Sequence, residues 1–410
     1  MVQLLFYIIL GFILLEFILE RILDYLNSTC WSDNLPEELA GIYDPDNYRK
    51  SQRYLRVKQR FSLITDSVSL VLMLLLIAGG GFAWVDSLVR QVTVNPVVMA
   101  LLFFGILGLA ADVVSIPFSA YSTFVIEERF GFNKTTPKTF ILDKLKGWLL
   151  GGIIGGGLLA LIVWFYMISG PWFWLIAWAV ISGFMIFMAM FYSNFIVPWF
   201  NRQTPLEQGD LRNAIERYAS SVSFRLKNIY VIDGSRRSSK GNAYFTGLGP
   251  KKRIVLYDTL IEKHTKEELV AVLAHEVGHY KKKHTLKGIV MSVLQTGFML
   301  FILSLFLKHP ELSQALGSEH PGFHMSLLVF GLLYSPLSLI IGLVSNVISR
   351  KHEYQADNYA AVTYNADSLA LALKKLSVDN LSNLRPHPAY VFFYYSHPPL
   401  LKRLKALREA

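Results

Sequence analysis

Long apolar runs alternate with strongly polar stretches along this chain, and the runs have the length of a bilayer's hydrocarbon core. A spanning helix needs roughly 20 mostly apolar residues. Seven stretches meet that length, at approximately 2–19, 64–85, 95–118, 147–169, 171–197, 287–307 and 323–348. The fourth and fifth are separated only by Ser169, Gly170 and Pro171, which predicts a tight helical hairpin. GGIIGGG at 151–157 offers small residues for close helix contact. The first run lacks a preceding basic segment and a following small-residue cleavage site. It is therefore expected to remain as a membrane helix and not to leave as a signal peptide.

The polar stretches carry their own patterns. LEQGDLRNAIERYASSV, about 206–222, repeats its apolar positions with helical period. KNIYVID and RIVLYD look like short strands around a Gly- and Ser-rich connection. Another helix is expected from about 266, where Thr265 and Glu268 form a T-x-x-E capping box. The chain thus divides into spans one to five with polar loops 20–61 and 119–146 (1–197), a polar segment (198–286), spans six and seven (287–348) and a C-terminal segment (349–410).

Composition agrees with a membrane protein. Of 410 residues, 53% are hydrophobic and 17% charged, below the quarter or so usual for soluble domains. A net charge of +10 would ordinarily raise nucleic-acid binding, but its placement points elsewhere. All but Arg90 and Lys308 of the 40 Lys and Arg residues fall in 20–61, 119–146, 198–287 and 349–410, which are alternate segments of a seven-span chain. By the positive-inside rule those segments face the cytoplasm and the N-terminus faces outside. The expected partners are a lipid bilayer and a peptide or protein substrate, with no nucleic acid. A single cysteine, Cys30, excludes an intrachain disulfide and a cysteine-based zinc site. It also lies far from the C-terminus, so this chain is not itself a prenylated protein.

The chemistry concentrates in HEVGH, residues 275–279. His275 and His279 lie four apart, so on a helix both imidazoles project from one face and can reach one Zn²⁺. Glu276 beside them can accept a proton from the attacking water, and Gly278 leaves room near the metal. The plain alternative is an amphipathic helix with surface histidines. A catalytic zinc needs a third protein ligand. In HEYQAD, Glu353 and Asp357 are four apart and point the same way; one can bind metal while the other orients a ligand histidine. His284 and His352 are rival ligands. His284, five after His279, falls off that face and reads as a helix-end cation. Asp66 and Asp112 lie in apolar runs, where acids face a partner or a wet cavity unless they sit at span ends.

Beyond these residues the chain resembles the type I CAAX prenyl proteases, membrane zinc endopeptidases. The resemblance rests on LPEELAGIYDPDNYRKSQRY, ERFGFNKTTPKTF, VPWFNRQTPLEQGDLR, GNAYFTGLG, HEVGH, KHEYQAD and SHPPLLKR. It implies a mainly α fold, in which seven transmembrane helices enclose a chamber and a zinc protease domain with a small β-sheet closes the cytoplasmic end. It implies one zinc per chain, held by His275, His279 and Glu353, with Glu276 as general base. Asp357 would be the hydrogen-bond partner of a ligand histidine. Asn242 would lie on the substrate-binding strand, and His397 and Arg403 would face the site from the C-terminal segment. His397 could then donate to the developing oxyanion, and Arg403 could orient that region or bind a substrate carboxylate. Alone, Asn242 beside Gly241 reads as a turn residue, and His397 before Pro398 likewise.

The expected activity is hydrolysis near protein C-termini, on prenylated CAAX peptides in the eukaryotic family. The end of the chain, LREA, carries no ER retrieval signal, which favours a bacterial cytoplasmic membrane over the ER. In that setting the alternative is a quality-control protease without prenyl specificity. Cleavage within the bilayer would place HExxH in an apolar run, and Lys281, Lys282 and Lys283 argue against it. A catalytically silent scaffold or transporter on the same helices would lack a ligand or base, and none is missing.

Overall fold

Every apolar run forms a helix. The computed structural model describes residues 1–224, 228–246 and 253–409, and seven of its helices are long and apolar enough to cross a membrane. The first two are α1 (Val2–Ser28) and α2 (Pro45–Ala78). Asp44 caps α2 by accepting from the backbone N–H groups of Asp46 and Asn47. The second run does not continue to 85 as expected. Three consecutive glycines end α2, with Gly80 at φ +66°, and a separate helix α3 (Gly81–Val92) begins.

α4 (Pro96–Tyr121) runs on through a wide π turn, Ser122–Glu127. α5 (Pro137–Leu150) reaches α6 (Gly156–Ser169) through a second π turn at Gly151–Gly155. α7 (Phe173–Phe195) and the short α8 (Val197–Phe200) complete the fifth span. The polar segment holds α9 (Asp210–Ser221), α10 (Asp258–Lys263) and α11 (Lys266–Lys281). α12 (His284–Phe306) is the sixth span, followed by α13 (Glu311–Gln314). The seventh, α14, is one unbroken helix from Phe323 to Thr363. It therefore carries HEYQAD on the same rod as the membrane span. α15 (Ala366–Asp379), α16 (Pro388–Tyr394) and α17 (Leu400–Arg408) close the chain.

The spans meet in a closed cycle: α1 with α2, then α3, α4, α6, α7, α12, α14 and back to α1. No more than 22% of the apolar window of any span is buried inside the protein, which leaves most of each apolar surface to face lipid. The glycine run plays a part other than the expected one. Only Gly156 approaches a neighbour, 3.6 Å from Leu101 if it carried a Cβ, whereas Gly151, Gly152 and Gly155 face open space. With Gly105 and Gly108 they line a crevice of about 680 Å³ between α4 and α6. The two acids within the runs both have partners. Asp66 accepts from Arg21 at 2.8 Å, and Asp112 accepts from Lys144 and Trp148, each at 2.7 Å.

Contacts between loops fall into the same two groups as the basic residues. At one end Arg90 donates to the carbonyl of His320, and His324 and Ser318 both reach Asp86. At the other, Tyr43 bonds the carbonyl of Ser377, Arg237 pairs with Asp143, and Lys240 joins Tyr54 and Glu127.

The polar segment adds a mixed four-stranded sheet in the order β1 (Gln203–Pro205), β2 (Asn228–Ile232), β4 (Arg253–Tyr257), β3 (Ala243–Thr246). β2 and β4 are parallel, pairing Ile229 with Ile254. β3 runs antiparallel on β4, pairing Tyr244 with Val255, and its other edge has no strand partner among the described residues. Lys227 of KNIYVID and Gly247–Gly249 of GNAYFTGLG lie outside the described residues. Ile229, Ile254 and Leu256 pack with Ile215 of α9 and with Leu269, Leu273 and Val277 of α11 in one buried cluster. That cluster is what holds HEVGH against the sheet.

Candidate metal centre

The site is built where α11 crosses α14. The Thr265–Glu268 capping box starts α11 as expected, with each side chain bonding the other's backbone N–H. Glu268 is itself held by Lys375 of α15 at 2.7 Å. Gly278 is where the helices come closest. A Cβ there would lie 3.1 Å from the backbone of Ala356 and from Tyr359 Cβ, so its missing side chain makes room for α14 and not for a metal.

Ligand atoms of His275, His279 and Glu353 all lie within 4.8 Å of one another, a grouping that could hold a metal ion. The imidazole Nε2 atoms are 3.1 Å apart. His279 Nε2 lies 3.2 Å from Glu353 Oε1, and His275 Nε2 lies 3.5 Å from Glu353 Oε2. Ligands 2.0–2.1 Å from a tetrahedral ion sit about 3.3 Å from each other, so these edges match a zinc-sized cation. Glu353 Oε2 is buried with no hydrogen-bond partner, which is costly unless something positive satisfies it. Burial pushes the His275 imidazole down, but the neighbouring carboxylates of Asp357 and Glu353 outweigh this and hold it up at about 9. The pocket therefore favours positive charge at this point. The residues present fit a divalent metal.

The remaining predicted residues surround this triad. Asp357 Oδ1 is 2.8 Å from His275 Nδ1. Arg403 of α17 donates Nε to Asp357 Oδ2 and Nη2 to Oδ1, and its Nη1 is 3.7 Å from Glu353. Its Nε and Nη2 are thus both engaged with Asp357. Glu276 follows His275 on α11, and burial raises its carboxyl against the attraction of His275 and His279. His397 reaches to 3.4 Å from Glu353 Oε1, with its side chain 63% exposed at the rim. Asn242 is exposed just before the open strand β3; its Oδ1 accepts from the N–H of Ala243, and its carbonyl accepts from Tyr257.

His284 is not the exposed helix-end cation expected from its spacing. α11 ends at Lys281, Lys283 takes a left-handed φ of +58°, and α12 starts at His284. The chain reverses there and buries His284, placing its Nδ1 3.1 Å from His279 Nδ1. His352, the other rival ligand, stacks on the His284 ring at 3.9 Å. Gln355, which bonds His284, drew no attention in the sequence because a glutamine on a helix has no distinctive spacing.

Seven spans with a His–His–Glu grouping that could hold a metal on their polar side fit an integral-membrane metallopeptidase. The comparisons narrow this. A family described as "CAAX prenyl protease N-terminal, five membrane helices" matches residues 25–202, and "Peptidase family M48" matches 205–410. "CAAX prenyl protease 1 homolog" of Arabidopsis thaliana is 35% identical over 97% of this chain and 96% of its own length. "Probable CAAX prenyl protease 1" of Schizosaccharomyces pombe is 38% identical over 91% and 81%. The crystal structure of S. mikatae Ste24p superposes with a TM-score of 0.93 at 34% identity, covering 98% of this chain and 99% of that one. The chain belongs to the type I CAAX prenyl protease family of M48 peptidases. These relatives are a plant and two yeast proteins, and they lend no support to a bacterial membrane as the expected location.

Proposed function

We propose that this chain is a zinc endopeptidase cleaving near the C-termini of CAAX-type, prenylated proteins. The observation that carries the reading is the convergence of two imidazole Nε2 atoms and one carboxylate at tetrahedral-edge spacing, beside Glu276. The printed names of the relatives support the substrate class. His275, His279 and Glu353 would hold one zinc ion. When bound, zinc supplies a Lewis acid that polarises the scissile carbonyl and makes water acidic near neutral pH.

The chain's own residues do the rest. Glu276 takes the proton of the attacking water and passes it to the leaving amine; its upward shift brings it nearer the operating pH. The Asp357 carboxylate, 2.8 Å from His275 Nδ1, holds that ring, and Arg403 fixes Asp357. His397 donates to the oxygen that gains charge as the carbonyl is attacked. The substrate pairs along the open edge of β3, guided by Asn242, so that backbone is read and not sequence. Segments 198–286 and 349–410 form the catalytic unit on a scaffold of 1–197 and 287–348. The concentration of basic residues at this end supports a cytoplasmic active site, with the N-terminus outside.

The test is product mass spectrometry on one C-terminal peptide, prenylated and unprenylated, with and without chelator. Chelator-sensitive release of a C-terminal fragment from the prenylated form is expected. Equal turnover by Glu276→Gln would refute the mechanism, and equal turnover of both peptides would remove the prenyl group from the substrate class. Labelling that found the N-terminus cytoplasmic would overturn the orientation.

A further inference from the structure

We propose that His284 is a positioning residue that fixes the tautomer of His279 through a relay beginning at Gln355. This deepens the ligand assignment above and rests on His279 being a metal ligand. The relay is read from its far end. His284 Nε2 lies 2.9 Å from Gln355 Oε1, and an amide oxygen only accepts. His284 Nε2 therefore carries hydrogen, and in the neutral ring Nδ1 carries the lone pair. His284 Nδ1 lies 3.1 Å from His279 Nδ1, so the hydrogen between them belongs to His279. That leaves His279 with its lone pair on Nε2, the atom facing His275 Nε2 and Glu353 Oε1.

The surroundings hold the relay in place. His284 is 5% exposed, so solvent does not compete for Nδ1. Its ring lies face to face with His352, with planes 10° apart, which fixes its orientation. The left-handed turn at Lys283 swings His284 back onto His279. The two candidate ligand imidazoles are thus oriented by different chemistry. Asp357, an anion, lies 2.8 Å from His275 Nδ1, whereas His279 is served by a neutral imidazole whose own polarity is set by an amide. An acceptor behind a ligand histidine fixes its ring and raises its basicity, and losing one typically costs 10–100-fold in metal affinity.

The test compares His284→Leu, which fills the space without an acceptor, with His284→Gln, whose amide can accept from His279 and donate to Gln355. Each is made in the full-length chain. Zinc affinity is measured by chelator competition, and the cobalt-substituted protein gives a ligand-field spectrum. His284→Leu is expected to bind zinc about 10–100-fold more weakly and to shift the cobalt spectrum, with His284→Gln recovering most of both. Gln355→Leu, which leaves the histidine cluster intact, is expected to weaken zinc in the same direction and serves if His284→Leu folds poorly. Wild-type zinc affinity in His284→Leu or Gln355→Leu, or equal weakening in the Leu and Gln variants of His284, would overturn the relay. His279→Ala separates the two readings. If it retains zinc, the ligand assignment fails; if it loses zinc while His284→Leu keeps it, only the relay fails.

Discussion

Arg403 grips Asp357 at both carboxylate oxygens, Nε to Oδ2 at 2.8 Å and Nη2 to Oδ1 at 2.6 Å. Both residues are buried, so the pair wires α17 to α14 beside the candidate metal triad. The planar fork of arginine suits this geometry, and an ammonium cannot reproduce it. The last helix of the chain is thereby part of the site.

Arg403→Met should therefore strip buried Asp357 of its guanidinium partner, leaving only His275 beside it, and destabilise the protein by about 3 kcal/mol. Zinc affinity should fall with it, because Asp357 no longer holds His275 in one orientation. Arg403→Lys restores charge without the fork and should recover only part of either loss. Denaturant unfolding of the metal-free protein, alongside chelator competition, separates stability from zinc binding. Full recovery by lysine would show that charge alone is needed.

Gly278→Ala should couple packing to metal binding. Its Cβ would press on the backbone of Ala356, which cannot swing aside. Pushing α11 from α14 should cost about 1–3 kcal/mol. Two candidate ligands ride on α11 and the third on α14, so zinc affinity should drop as well. A melting temperature and zinc affinity equal to wild type would mean that the helices separate freely at this point.

Much of this architecture was legible beforehand. Apolar runs mark the spans because lipid demands continuous helices of fixed length, and the Thr265–Glu268 box and His275–His279 spacing are local helical rules. What escaped depends on contacts distant in sequence or on single backbone angles. Lys283 gives no sign of its left-handed φ, so His284 read as continuing a helix that has already ended. Gly278 looked like space for a metal because its neighbour Ala356 is far along the chain. Glycines 151, 152 and 155 suggested contact yet border a crevice, since small residues permit close approach without compelling it. Arg403 was expected to orient that region or bind a substrate carboxylate, but nothing in HPPLLKR reveals Asp357, far along the chain, as its partner.

Lys240 ties the stretch leading to Asn242 onto the membrane helices. Its ammonium lies 3.0 Å from both Tyr54 Oη and Glu127 Oε2, and 4.2 Å from the Phe132 ring centre. Lys240→Met should cost about 1.5–3 kcal/mol, the range for hydrogen bonds to charged groups. If β3 receives the substrate, KM should rise more than kcat falls, and zinc affinity should stay unchanged. Steady-state kinetics on a CAAX peptide with parallel zinc titration checks this; a change confined to kcat would place Lys240 in the chemical step instead.

At the opposite end of the ring, Asp86 should confer acid sensitivity. It accepts from His324 at 2.6 Å, from Ser318 at 2.7 Å and from Arg90 at 2.9 Å, joining α3 to the start of α14. Burial pushes its carboxyl up, but those bonds outweigh burial and bring it down to about 2 from 3.8. The folded value lies below the unfolded one. Its contribution is therefore present above about pH 4 and is lost as pH falls towards 2, and it amounts to about 2 kcal/mol. Asp86→Asn should lower the melting temperature at neutral pH, and the gap to wild type should close between pH 4 and pH 2. The metal-site carboxylates titrate in both proteins and cancel in the difference. Thermal unfolding in detergent across that range gives the answer, and a gap that stayed constant to pH 2 would show that Asp86 is not what acid disrupts.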